Sequence, residues 1–222
     1  MTTDVEIRVV ADPAEAAAAF LLEAGVVALS GGSTVGRAYE VAAEQRPDWS
    51  GVEVWFGDER AVPPTDERSN FRLADESLLG RLTARPSVHR IEGELGAVEA
   101  ARRYDAELAD VMLDLALNGI GADGHTASLF PHAPGLDEHE RRAVAAEPGL
   151  EPFVPRVTLT PRVFAETHLL VYLVTGSAKA DAVRRAFAEE PSPATPASLV
   201  RGRRTVALLD REAAAALERL CF

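Results

Sequence analysis

The feature that most narrows the fold is a repeated order along the chain: a short apolar run, a glycine-bearing or charged polar stretch, then a segment of helical composition. The run GVVALS at 25–30 enters the glycine pair Gly31 and Gly32 and precedes a predicted helix over 34–44. VEVWF at 52–56 opens into Gly57, Asp58, Glu59 and Arg60; a turn at Pro63 and Pro64 and a predicted helix near 70–79 follow. A helical segment at 97–112 leads to a predicted strand, DLALN at 114–118, which delivers GIGADGHTASLFP at 119–131. HLLVYLV at 168–174 is the strongest strand candidate, with TGSAK at 175–179 and a helix to about 188 behind it. A strand at 205–209 and an alanine-rich helix close the chain. Apolar runs of strand length alternating with helices predict an α/β fold of three layers, a mostly parallel sheet with helices on both faces. Ligands bind such sheets beyond the carboxyl ends of the strands, where the four polar stretches are expected to meet.

The length of 222 residues predicts one domain over 1–222, and PSPATP at 191–196 reads as a loop before the last strand. A formal charge of −12 with no concentrated basic patch argues against nucleic-acid and anionic-membrane partners. Lysine occurs once, at Lys179, so its place on a polar loop is notable. The first residues, MTTDVE, have neither the basic nor the apolar region of a secretory signal, and a cytoplasmic location is expected. The single cysteine, Cys221, has no partner for an internal disulfide and reads as a terminal packing residue.

Gly119, Gly121 and Gly124 match the G-x-G-x-x-G pattern of dinucleotide sites, but that pattern must open a full crossover helix. Pro131, Pro134 and Gly135 interrupt the chain too soon, and Glu147, near the ribose-binding spacing, is weak support among many acids. The glycines fit better a sharp turn that presents His125. TASLF at 126–130 predicts a short helical turn beginning at His125, whose unpaired amides face outward at its start; there the positive end of a helix dipole favours a neutral imidazole able to accept a proton. His125, His132 and His139 recur every seven residues, but the intervening prolines and glycine forbid a shared helix face, so no metal site is expected.

SGGST at 30–34 lies between a strand and a helix, where free amides and hydroxyls cradle phosphate, and it lacks the Gly-Lys-Ser/Thr of a nucleotide loop. A small phosphate group fits it, with a plain strand-to-helix turn as the alternative. Lys179 is a candidate second phosphate contact. Asp58, Arg60 and Arg156 are ambiguous one by one, since charged turns are usually solvated.

Together, SGGST at 30–34, GDERAVPPTDERSN at 57–70, GIGADGHTASLFP at 119–131, PRVTLT at 155–160 and VTGSAK at 174–179 closely resemble 6-phosphogluconolactonases, in that family's order and over most of the chain. The resemblance implies a Rossmann-like three-layer fold shared with glucosamine-6-phosphate deaminases. It implies hydrolysis of 6-phospho-D-glucono-1,5-lactone, a phosphorylated sugar lactone of the pentose phosphate pathway, with no metal or organic cofactor. Carried over position by position, His125 matches the general base. Asp58 and Arg60 match the active-site pair, whose separate roles stay open. Gly31, Gly32, Ser33, Arg156 and Lys179 would hold the phosphate. Two positions depart from the pattern: Val35 replaces a usual proline, and Asn118 brings into a central strand an amide that needs a hydrogen-bond partner. A phosphosugar deaminase or isomerase on the same fold would need a carboxylate base at C2, for which Asp58 is available, but GHTASLFP favours the lactonase. A non-catalytic sugar-phosphate sensor would be expected to carry a DNA-binding module, for which there is no room before the first strand. The oligomeric state is left open, a monomer being compatible.

Overall fold

The computed structural model describes residues 5–149, 151 and 153–218; Cys221 lies outside them. From the amino end, β1 (Val5–Val9), α1 (Pro13–Glu23), β2 (Val26–Leu29), α2 (Ser33–Gln45), β3 (Glu53–Phe56), β4 (Asp58–Arg60), α3 (Asn70–Ser77) and β5 (Ser87–Val88) follow in order. The second half contains α4 (Ala97–Glu107), β6 (Leu115–Asn118), β7 (Ala143–Ala146), β8 (Arg156–Leu159), α5 (Pro161–Glu166), β9 (Leu169–Val174), α6 (Ala180–Phe187), α7 (Pro196–Leu199), β10 (Arg204–Leu209) and α8 (Arg211–Glu218). Seven strands form one sheet in the order β1-β10-β9-β6-β2-β3-β5, with every neighbouring pair parallel. A second sheet, β4-β8-β7, is antiparallel.

The order of strands explains the layers. The chain travels one way along the large sheet through β1, β2, β3 and β5, then returns through β6, β9 and β10. Right-handed crossovers in opposite directions place helices on opposite faces. Accordingly α1 packs on α2 and α2 on α3, while α6 packs on α8. Both faces being covered, the central strands are continuous apolar runs: Val27, Ala28 and Leu29, then Leu115, Ala116 and Leu117, then Leu170 to Val174 are all buried. Each fully buried leucine or valine contributes about 1.5–3 kcal/mol of transfer free energy, before the entropy of ordering the chain is subtracted.

Two buried tyrosines fasten the ends of β2 and β3. The Tyr39 hydroxyl accepts from the Ser30 amide and donates to the Ser30 carbonyl, each at 2.9 Å. Tyr104 does the same for Phe56, at 2.7 and 3.1 Å. Burial raises both phenols well above their ordinary range, so they remain neutral donors. The backbone beyond each strand therefore leaves from a fixed point.

Three sequence expectations are adjusted. The predicted helix over 97–112 stops at Glu107, because the chain turns at Leu108 and Val111 bonds back to it. GDER is a short strand as well as a turn, and PRVTLT contains its partner β8, with Arg60 opposite Arg156. Residues 126–129 form no helix: Ala127 has φ 49°, and Thr126 and Leu129 close a tight bridge. The amides expected to face a ligand are spent, Ser128 on the Thr158 hydroxyl at 3.2 Å and Leu129 on the Thr126 carbonyl at 3.0 Å.

Candidate active site

Strands β2 and β6 are neighbours, yet the chain leaves them toward opposite faces of the sheet. The crevice at such a switch point is where open α/β sheets bind ligands. Residues from the ends of four strands line one cleft of about 290 Å³ there, and all eight predicted site residues belong to it: Gly31, Gly32, Ser33, Asp58, Arg60, His125, Arg156 and Lys179.

The β2 end forms one wall. Gly32 precedes α2 with φ 119° and ψ 152°, a conformation closed to other residues, and no side chain caps the helix it starts. The first amides of a thirteen-residue helix thus point into the cleft with their share of the helix dipole. Thr34 from this turn meets Thr175 from the β9 loop, hydroxyl to hydroxyl at 3.0 Å, which brings Lys179 to the same wall. Val35, where the family pattern has proline, is buried in the first turn of α2. The Ser30 hydroxyl is buried against the cleft and has no partner among the described residues.

A second wall comes from the two strands β4 and β8. The Asp58 carboxylate accepts from Ser128 Oγ at 2.6 Å and Asn70 Nδ2 at 3.0 Å, and Asp58 is 5% exposed. Arg60 donates to Asn70 Oδ1 at 2.6 Å and to the Arg68 carbonyl at 2.7 Å. Glu59 points away and holds α3: it accepts from the amides of Arg60, Asn70 and Phe71 and from the Ser69 hydroxyl, at 2.7 to 2.9 Å. Burial raises the Glu59 carboxyl even against those four hydrogen bonds. Arg156 lies with its guanidinium 5.3 Å from the Phe130 ring centre. Burial first, then repulsion from Arg60, lowers Arg156 from its ordinary value. Two guanidiniums on opposed residues plus a lysine make the cleft locally positive in a chain of charge −12, which favours an anionic ligand.

The β6 loop carries His125. It folds back on itself through Gly121 N–H to the His125 carbonyl and Gly124 N–H to the Gly121 carbonyl, both 2.9 Å. A Cβ on Gly121 would overlap His125 Nδ1 and Cε1, so only glycine leaves room for the ring. His125 Nδ1 lies 2.6 Å from Asp123 Oδ1, and that same oxygen accepts from the His125 amide at 3.1 Å. Burial by itself pushes the Asp123 carboxyl up, but the hydrogen bond and charge of His125 outweigh it, and Asp123 sits below the ordinary carboxylate value. With Nδ1 bound to a carboxylate, the proton resides on Nδ1 and Nε2 is left to accept. No helix starts at His125, so the expected helix-dipole effect is absent, and what orients the ring is Asp123. Phe130 packs on the ring at 5.0 Å between centres. Asn118 meets half of its need for a partner: Nδ2 donates to Thr126 Oγ1 at 3.1 Å, whereas Oδ1 has none among the described residues.

The residue set of the motifs read from the sequence thus lies in one crevice. A family model described as glucosamine-6-phosphate isomerases/6-phosphogluconolactonase matches residues 3–208. The chain belongs to this family. Within the glucosamine-6-phosphate isomerase/6-phosphogluconolactonase family, a 6-phosphogluconolactonase of Mycobacterium leprae is 36% identical over 210 residues, 87% of this chain and 85% of the relative. The structure of a 6-phosphogluconolactonase from Trypanosoma cruzi superposes with a TM-score of 0.84 at 26% identity, covering 98% of both chains. A monomeric glucosamine-6-phosphate deaminase of the NagB superfamily shares the fold, with a TM-score of 0.81 at 20% identity over 96% of this chain and 99% of that one.

Sequence reasoning passed over Asp123, Asn70, Ser30 and the Thr34–Thr175 contact as separate site residues. Asp123 and Asn70 stand inside the quoted motifs, and two-residue spacing from His125 was the available signal for Asp123. Ser30 stands in SGGST, whose hydroxyls were expected to cradle phosphate, but no signal separated it from the rest of that motif. Among the described residues, no three His, Cys, Asp or Glu side chains gather as a metal-ligand set.

Proposed function

We propose that the chain hydrolyses 6-phospho-D-glucono-1,5-lactone to 6-phospho-D-gluconate, the lactonase step of the pentose phosphate pathway, in the cytoplasm. The observation that carries this reading is that His125, held by Asp123, shares a cleft with the uncapped amino end of α2. His125 Nε2 takes a proton from a water as its oxygen attacks C1. The carbonyl electrons move onto oxygen, and the charge faces the Arg60 side of the cleft. Collapse breaks the bond from C1 to the ring oxygen, which receives the proton back from His125; water is thus divided between the new carboxyl and the freed hydroxyl. Asp123 holds Nδ1–H throughout and stabilises the transient imidazolium. The phosphate binds at the far end, on the amides of Gly32 and Ser33 with Gly31 allowing close approach, and on Lys179 and Arg156. Its binding energy is spent on placing C1.

Asp58 acts through its neighbours. Both its oxygens are engaged by neutral donors, and it ties the histidine loop, through Ser128, to Asn70 and hence to Arg60. That same engagement weighs against the deaminase or isomerase alternative, in which Asp58 would have to be a free base at C2. Fresh lactone and glucosamine 6-phosphate, offered separately to the purified protein, test the choice. Accelerated loss of lactone with no ammonia release is expected; ammonia release without accelerated lactone loss would overturn it.

A further inference from the structure

Arg185, on the outer layer of the molecule, touches the loop that presents the Asp–His pair. Its Nη2 donates to the Ala122 carbonyl at 3.0 Å, and its Nη1 to the Asp123 carbonyl at 3.2 Å and the Thr195 hydroxyl at 2.7 Å. Its Nε donates to Asp181 at 2.9 Å, one turn earlier on α6, which fixes the plane of the guanidinium. The next carbonyl of the loop, Gly124, accepts from the Ala197 amide at 2.9 Å at the start of α7. Three consecutive carbonyls, 122 to 124, are therefore held from outside by α6 and α7. On their inner side, the Asp123 carboxylate grips both the amide and the ring of His125.

We infer that Arg185 is a positioning residue for hydrolysis: its fork fixes the backbone of Ala122 and Asp123 and so aims the Asp123 carboxylate at His125. The inference rests on the proposed role of His125. Within the loop the Asp123 carboxylate is tied only to His125 itself, and the internal backbone hydrogen bonds run through the amides of Gly121 and Gly124 and leave the carbonyls of 122 to 124 to outside donors. A planar guanidinium can satisfy two adjacent carbonyls and an anchoring carboxylate at once, which an ammonium cannot do in the same geometry. The helix that carries Arg185 begins directly after Lys179, so the proposed phosphate contact and the loop support sit on one rigid element.

The test is a set of steady-state measurements on lactone with Arg185→Met, Arg185→Lys, Asp123→Asn, the Asp123→Asn/Arg185→Met double variant and His125→Gln. Retained 6-phosphogluconate binding serves as the check on folding. Arg185→Met is expected to lower kcat about tenfold or more, within the range that a small misplacement of catalytic groups produces, while KM changes less than about threefold. Arg185→Lys should recover part of that loss. In the Asp123→Asn background, Arg185→Met should add less than about twofold, since both changes act on the same carboxylate. A general loss of stability would instead add in full to the Asp123→Asn defect, and that result, or an unchanged kcat in Arg185→Met, overturns the inference. If Arg185→Met fails to bind 6-phosphogluconate, Arg185→Lys carries the same comparison. Full activity in His125→Gln would instead remove the underlying mechanism, whatever the Arg185 variants do.

Discussion

Two glycine-rich turns leave adjacent strands of one sheet and put their backbones to opposite uses. After β2, the turn through Gly31 and Gly32 opens straight into a thirteen-residue helix with no side-chain cap, so amides are what it offers the cleft. After β6, the turn through Gly119, Gly121 and Gly124 opens no helix. It spends its amides on itself and on Asp123, and what it offers is an imidazole. The same residue type serves dipole presentation in one place and side-chain presentation in the other, and the deciding feature is where the next few N–H groups find acceptors. An anion fits the first turn and proton transfer fits the second.

The contrast can be broken at either turn. The largest effect is expected from His125→Gln, with kcat down about a hundredfold or more, the usual scale for a lost general base, and little change in 6-phosphogluconate affinity by calorimetry. Next, Gly121→Ala would drive a methyl into the ring of His125 and is expected to lower kcat about thirtyfold with KM nearly constant. At the anion end, on the β9 loop that meets the β2 turn through Thr34 and Thr175, Lys179→Met should raise KM about tenfold and lower kcat far less, in keeping with the loss of one charge-assisted contact made alike in ground and transition states. Equal losses in kcat at the anion end and at the histidine turn would erase the division between them. Ser30→Ala, which removes a cleft-wall hydroxyl with no partner among the described residues, is expected to shift kcat/KM by about threefold, on the scale of one neutral hydrogen bond.

The smallest effect concerns stability. Asp123 has a folded value below its ordinary 3.8, so its contribution is present above that value and disappears as pH falls through the folded one. Asp123→Asn should therefore flatten the acid end of the stability curve slightly, as followed by thermal melting between pH 2 and 5 in steps of about half a unit. A steeper acid limb in the variant would contradict the sign.

The large parallel sheet was legible because its strands are buried on both faces and read as unbroken apolar runs: β2, β3, β6, β9 and β10 fall within a residue or so of expectation. The small antiparallel sheet was not. β4 has three residues, all charged, and its pairing with β8 spans almost a hundred positions, so no local period marks it. Four loops could be expected to meet from the fold class alone, and they do. The helical turn after His125 was misread because TASLF has helical composition, whereas Thr126 bonds to the Gly119 carbonyl and Asp58 holds Ser128 from a distant strand. Tertiary partners decided that backbone, and with it the true orienting group of the histidine, Asp123.

The measurement that bears most directly on a shared cleft serving one substrate is a crystal structure with 6-phosphogluconate bound. The phosphate is expected on the amides at the start of α2 and on Lys179, with the C1 carboxylate within about 3 Å of His125 Nε2. A sugar acid bound with its phosphate away from the Gly31 and Gly32 turn, or with C1 turned from His125, would contradict the account.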